Sequence, residues 1–164
     1  DELHILFEVR SECLKHQPGE ICFPGGRLEK GESAEECAVR ETMEELNIDK
    51  DDIRIITQLD HLHTYSNFTL FSILGAIDYE VVLNLFVNKD EVKEIFLVPV
   101  SFFVENEPEV IGPDFPYEKI NQQNGYNWRK GTSNVPIYRY EDKVIWGLTA
   151  LVTMHLIKLI IEKN

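Results

Sequence analysis

Glu41, Glu44 and Glu45 place three carboxylates on one short predicted helix, directly after Arg40. Like charges at such spacings repel and weaken a helix unless something offsets them. A bound cation is one offset and solvation is the other. Hard divalent cations take oxygen ligands, and magnesium binds through a few carboxylates, retained waters and substrate phosphate. A cation held there could stabilise charge on a pyrophosphate and lower the pKa of an attacking water, with one glutamate as general base. On a solvated helix the same residues would bind nothing, so their meaning depends on the elements around them.

At about 100° per residue the three glutamates fall within an arc of roughly 100°, on the side shared by Ala34, Cys37 and Ala38. Val39, Thr42, Met43 and Leu46 form the opposite, mostly apolar side, which can pack on a sheet while the carboxylates stand over short side chains. Ser33 with Glu36 is a capping box that starts the helix, and its end is expected near Leu46. Asn47 suits the left-handed position that follows. Upstream, "FPGG" breaks regular structure at Pro24, Gly25 and Gly26.

Alternating apolar residues predict a strand over 3–9 and a short one over 20–23. Further strands are expected over 53–59, 68–77, 94–100 and in "VPIYRY". Residues 102–133, rich in Pro, Gly and Asn, read as a long loop. The apolar run 144–161 reads as a C-terminal helix, with His155, Lys158 and two threonines counting against a membrane span. Strands interleaved with one internal and one terminal helix suit an α/β or α+β sandwich.

The chain has 164 residues, 43% hydrophobic and 27% charged, enough for one folded domain over 1–164. Its formal net charge of -13 argues against sequence-independent nucleic-acid binding, which needs clustered Lys and Arg. A small anionic ligand held through a divalent cation stays compatible with that charge. Cys13, Cys22 and Cys37 form no CxxC pair, which suggests neither a disulfide framework nor a zinc site and fits a reducing cytoplasm. No secretory signal is recognisable, and no stable membrane insertion is expected. The apolar C-terminal helix motivates a homodimer as a further expectation.

Taken together, Gly26, Glu32, Arg40, Glu41, Glu44, Glu45 and Ile48 stand at spacings that closely resemble the signature of the Nudix hydrolases. Thr42 departs from its aliphatic slot and Asn47 replaces the final glycine. The resemblance implies an α/β/α sandwich with a mixed β-sheet and metal-dependent hydrolysis of a nucleoside diphosphate linked to another group. By matched position Glu41, Glu44 and Glu45 would be metal-site carboxylates for Mg2+ or Mn2+, with the Gly25 carbonyl as a further ligand. Glu32 and Arg40 would support them, Arg40 by steadying a carboxylate. Many relatives also use a later glutamate, for which Glu91 and Glu94 are candidates.

"LFEVRSECLKHQPGEICFPGG" further resembles the motif ahead of this signature in coenzyme A diphosphatases, and "IWGLTA" resembles their C-terminal segment. Leu6, Arg10, Ser11, Leu14, Gly19, Phe23, Pro24, Gly25 and Gly26 agree in register. Glu8 stands in a threonine slot, Lys15 in an arginine slot and Gln17 in a histidine slot. The implied reaction is cleavage of the pyrophosphate of coenzyme A or its thioesters to 3′,5′-ADP and 4′-phosphopantetheine or its acyl form. Arg10 and Lys15 could meet the 3′-phosphate, and Phe23 is a further candidate substrate contact. Alternatives are another small-molecule substrate (ADP-ribose, a dinucleoside polyphosphate, an oxidised nucleotide) or a non-catalytic nucleotide-binding module. His61 and His63 read as a strand edge more readily than as a metal site. Trp128 and Arg129 could contact a nucleotide, although packing on their own domain is the plainer reading.

Overall fold

Helices and strands alternate along the chain, giving the α+β composition that the sequence pattern predicts. The computed structural model describes residues 2–63, 68–111 and 135–162. They fall into two units, Leu6–Leu97 and a second that joins Asp1–Ile5 to Val98–Asn164. Among the described residues no helix is long and apolar enough to cross a membrane.

The unit Leu6–Leu97 carries the acidic helix. Strand β1 (His4–Arg10) pairs antiparallel with β2 (Ile21–Cys22), which sets Glu8 opposite Cys22 and Val9 opposite Ile21. β7 (Val92–Pro99) flanks β1 on its other side. Phe7, fully buried, stacks on Phe23 and Phe96 at centroid distances of 5.0 and 5.4 Å. Helix α1 (Ala34–Leu46) packs against the antiparallel pair β3 (Ile53–Gln58) and β6 (Ile73–Ile77). Between these strands lies the small β4 (Leu62–His63) and β5 (Thr69–Leu70) ladder, and α2 (Tyr79–Leu83) follows β6. The single strand expected over 68–77 is thus two, interrupted at Phe71 and Ser72.

In the second unit β8 (Glu109–Ile111), β9 (Val135–Tyr140) and β10 (Lys143–Trp146) form one antiparallel sheet. Ile111, Val135, Ile137 and Trp146 make its core, and the ring of Phe103 meets Tyr138 edge-on at 5.0 Å. Phe103 belongs to α3 (Val100–Glu105), and α4 (Gly147–Glu162) packs on α3, β9 and β10 and buries Gly147, Ala150, Thr153 and Ile157.

Two expectations change here. The apolar run 144–161 opens as strand β10 and becomes helix only at Gly147, whose φ of 63° makes the turn between them. A continuous apolar run has no periodicity to separate a buried strand from a buried helix. The loop expected over 102–133 begins inside α3 and includes β8, and its remainder from 112 lies outside the described residues.

Candidate functional site

Helix α1 starts as a capping box: Glu36 N–H donates to Ser33 Oγ at 3.2 Å, and Ser33 N–H donates to Glu36 Oε2 at 2.8 Å. It stops at Asn47, left-handed with φ 52° and ψ 51°, whose side-chain amide donates to the Phe86 carbonyl at 2.6 Å. Asn therefore meets the geometry that usually selects glycine. Thr42, the other departure from the signature, donates its hydroxyl to the Ala38 carbonyl at 2.7 Å, a bond within the helix that touches no carboxylate.

The loop after β2 covers the carboxylate side of α1. Gly25 N–H donates to Glu45 Oε2 at 2.8 Å. A Cβ on Gly26 would stand 2.2 Å from the Glu41 carboxylate, so only glycine lets the backbone pass there without displacing that group. Glu45 is consequently buried, with Cys37 and Leu46, whereas Val39, Thr42 and Met43 are only half-buried. The expected division into an apolar buried side and an open acidic side does not hold, because the loop closes over part of the acidic side.

Arg40 ties the loop to the helix. Its Nε and Nη2 donate to Glu32 Oε1 and Oε2 at 2.8 and 3.0 Å, a two-pronged contact. Nη1 donates to Glu41 Oε1 at 2.8 Å and lies 3.5 Å from Glu44 Oε2, and Nη2 also donates to the Arg27 carbonyl at 3.2 Å. The Arg40 hydrogen bonds, with the Glu29 amide, hold the Glu32 carboxyl down at about 2. Bonds to Glu32 and Glu41 push Arg40 above its already high value. Glu44 keeps 54% of its side chain in solvent.

Glu8 is a further carboxylate, one that sequence reasoning placed in no site. Glu8 is fully buried on β1; Cys22 Sγ donates to its Oε1 at 3.3 Å, and its Oε2 has no hydrogen-bond partner. Burial pushes Glu8 up to about 7, against the Cys22 hydrogen bond and the charge of Arg10. Burial also pushes Glu45 up to about 8, and the charges of Glu8, Glu41 and Glu91 act in the same direction. The available sequence signal was a glutamate between Phe7 and Val9 in the middle of an apolar strand, a place where ionised groups are rare without a partner.

Of the two later glutamates, Glu91 acts electrostatically on both Glu8 and Glu45 and accepts from Asn88 Nδ2 at 3.3 Å. Glu94 is exposed on β7. Arg10 follows Glu8 by two residues; its Nη2 reaches only the His16 carbonyl at 3.5 Å, and its buried Nε has no partner. Lys15 is exposed in the loop between β1 and β2. Phe23 belongs to the Phe7 stack. His61 and His63 meet edge-on at 5.1 Å, and His63 bonds Thr69. Trp128 and Arg129 lie outside the described residues.

Among the described residues no three acidic, histidine or cysteine side chains converge closely enough to enclose an ion. The donor set nevertheless has the chemistry a hard divalent cation takes. It consists of carboxylate oxygens, two of the groups being buried with raised pKa, and one oxygen lacking any partner. A nearby cation would favour their ionised forms against the burial and repulsion that raise them.

Comparison with known proteins gives this arrangement a family. Residues 2–129 match the model of the NUDIX domain. Mouse peroxisomal coenzyme A diphosphatase NUDT7 is 28% identical over 171 residues, covering 99% of this chain and 66% of its own. Nudix hydrolase 3 of Caenorhabditis elegans is 38% identical over 103 residues, 62% of this chain and 43% of its own. Peroxisomal coenzyme A diphosphatase ndx-8 of the same organism is 30% identical over 109 residues, 65% of this chain and 46% of its own. This chain therefore spans between 43% and 66% of the length of these relatives. The family model covers well over half of the chain, and the chain belongs to the Nudix hydrolase family.

Proposed function

We propose that this chain is a metal-dependent pyrophosphohydrolase of coenzyme A or its thioesters. A water attacks one phosphorus of the pyrophosphate, the bond from that phosphorus to the bridging oxygen breaks, and the bridge leaves on the other phosphate. The products are 3′,5′-ADP and 4′-phosphopantetheine or its acyl form. The observation that carries the reading is the loop held on the helix, Gly25 N–H on Glu45 and Gly26 against Glu41, with Arg40 bridging Glu32, Glu41 and Glu44.

Hydrolases of this family generally use divalent metal ions. Glu41, Glu44, Glu45 and the Gly25 carbonyl would hold Mg2+ or Mn2+ here. Bound there, the cation supplies positive charge for the pyrophosphate oxygens and for activating water. Arg40 fixes Glu41 by a charge-assisted bond and keeps Glu32 ionised as its own anchor. Gly25 N–H orients Glu45. A carboxylate not taken up as a ligand accepts the proton of the attacking water.

Similarity to two coenzyme A diphosphatases and the motif from Leu6 to Gly26 support the substrate. The Arg10 guanidinium, with one unpartnered nitrogen and one long contact, suits a 3′-phosphate better than the exposed Lys15. Phe23 offers an apolar contact from the Phe7 stack. A second reading, another nucleoside diphosphate derivative, draws on Gln17 in the histidine slot: its amide donates to Glu20 at 2.8 Å instead of standing free. A panel of pyrophosphates with and without Mg2+, products identified by mass, separates the two. Tight binding without turnover would favour a non-catalytic module. The three free thiols support a reducing compartment such as the cytoplasm, whereas two relatives carry "peroxisomal" in their names. Microscopy of the tagged full-length protein decides between them.

A further inference from the structure

We propose that Glu8 supplies a fourth carboxylate to the cation site, reached from strand β1 rather than from helix α1. The inference rests on the metal-dependent reading above and adds to it a residue outside the helix and its glycine loop. Glu8 is fully buried, yet only one of its oxygens is used, by the Cys22 thiol at 3.3 Å, and the other has no partner. A buried carboxylate oxygen without a donor is costly and calls for something that supplies positive charge or a proton.

Position says which. β1 pairs with β2 so that Glu8 lies across from Cys22, and β2 runs directly into the Phe23, Pro24, Gly25, Gly26 loop that rests on Glu45 and Glu41. The charge of Glu8 acts on Glu45 in the same direction as those of Glu41 and Glu91, against ionisation. Arg40, the guanidinium of the helix, gives its hydrogen bonds to Glu32, Glu41, Arg27 and Cys37 and none to Glu8 or Glu45. The neighbouring Arg10 reaches the His16 carbonyl rather than a carboxylate. A divalent cation is the partner whose ligand preference matches two buried carboxylates and leaves their oxygens coordinated.

The test is Mn2+ binding to the full chain, followed by calorimetry and by the loss of the free-Mn2+ electron paramagnetic resonance signal, for wild type, Glu8→Gln and Glu8→Thr. Loss of a second-layer or ligating carboxylate weakens metal by about 10- to 100-fold, and that fall is the expected result for both variants. The metal-free variants should melt at or above the wild-type temperature, because an unpartnered buried acid has been removed, while gaining less from Mn2+. Unchanged Mn2+ affinity and stoichiometry in Glu8→Gln and Glu8→Thr would overturn the proposal, as would failure of both to fold, which would make the carboxyl structural. Glu41→Gln and Glu44→Gln are run alongside. If they too leave Mn2+ binding unchanged, the metal-dependent reading itself fails; if they weaken it and the Glu8 variants do not, only the role of Glu8 is lost.

Discussion

Gly25 and Glu45 are joined by a 2.8 Å hydrogen bond from backbone amide to carboxylate, and that bond places a glycine loop on the acidic side of a helix. It turns a row of like charges into a layered set: Glu44 in solvent, Glu41 half-covered and bound to Arg40, Glu45 buried. The repulsion noted between these residues is offset on the outside by Arg40, and on the inside the function proposed here assigns the offset to a cation.

Glu41→Gln keeps size and hydrogen-bonding capacity but removes the charge. The expected outcome is a fall in turnover by orders of magnitude with an unchanged circular dichroism spectrum, since a ligand and candidate base is lost while the helix keeps its cap. Turnover near the wild-type value would remove Glu41 from the mechanism.

Gly26→Ala puts a methyl group where the Glu41 carboxylate lies, 2.2 Å from the new Cβ. The flexible end of Glu41 has to move, so the fold should survive with a melting temperature within a few degrees of wild type. Turnover should fall about tenfold or more, because small displacements of a positioned group cost rate steeply. A crystal structure of the variant with Glu41 unmoved, or full activity, would contradict this.

Arg40→Lys retains the charge but not the two-pronged contact with Glu32. These groups keep access to solvent, which screens their attraction, so the melting temperature should shift little. The damage should appear in turnover and in the metal concentration needed for half-maximal rate. A variant equal to wild type in both would reduce Arg40 to a surface contact.

The buried acids give a pH dependence with a definite sign. Glu8 and Glu45 are raised to about 7 and about 8 from 4.5, so the folded state favours their protonated forms. Their contribution to stability is fully present below about 4.5 and is lost as pH rises through 7 to 8. Glu32, lowered to about 2, contributes in the opposite sense above 4.5 and is lost only as pH falls through 2. Metal-free protein should therefore melt at a higher temperature at pH 6 than at pH 8.5, and saturating Mg2+ should raise the melting temperature more at pH 8.5, where cation and proton no longer compete. Equal Mg2+ shifts at both values, measured by scanning fluorimetry, would contradict the account.

Much of this was legible in the sequence because it is local. The Ser33 and Glu36 cap, the left-handed Asn47 and the strands at β1, β3 and β9 each follow from a few adjacent residues. What was not legible depends on contacts distant in sequence. Glu45 meets the Gly25 amide from across the turn of the glycine loop, and Glu8 faces Cys22 through the pairing of β1 with β2. The start of α4 was missed for a different reason: Val144, Ile145 and Trp146 are apolar in either conformation, and only pairing with β9 makes them a strand. Short α2 and α3 lack the length over which helical periodicity can be read.

Whether this chain cleaves the pyrophosphate of coenzyme A is decided by incubating it with coenzyme A and Mg2+ in water enriched in oxygen-18 and weighing the products. The expected outcome is equal amounts of 3′,5′-ADP and 4′-phosphopantetheine, one of them carrying the heavy oxygen on phosphorus, and no products without a divalent cation. Intact coenzyme A after prolonged incubation, or the same products in excess chelator, would contradict it.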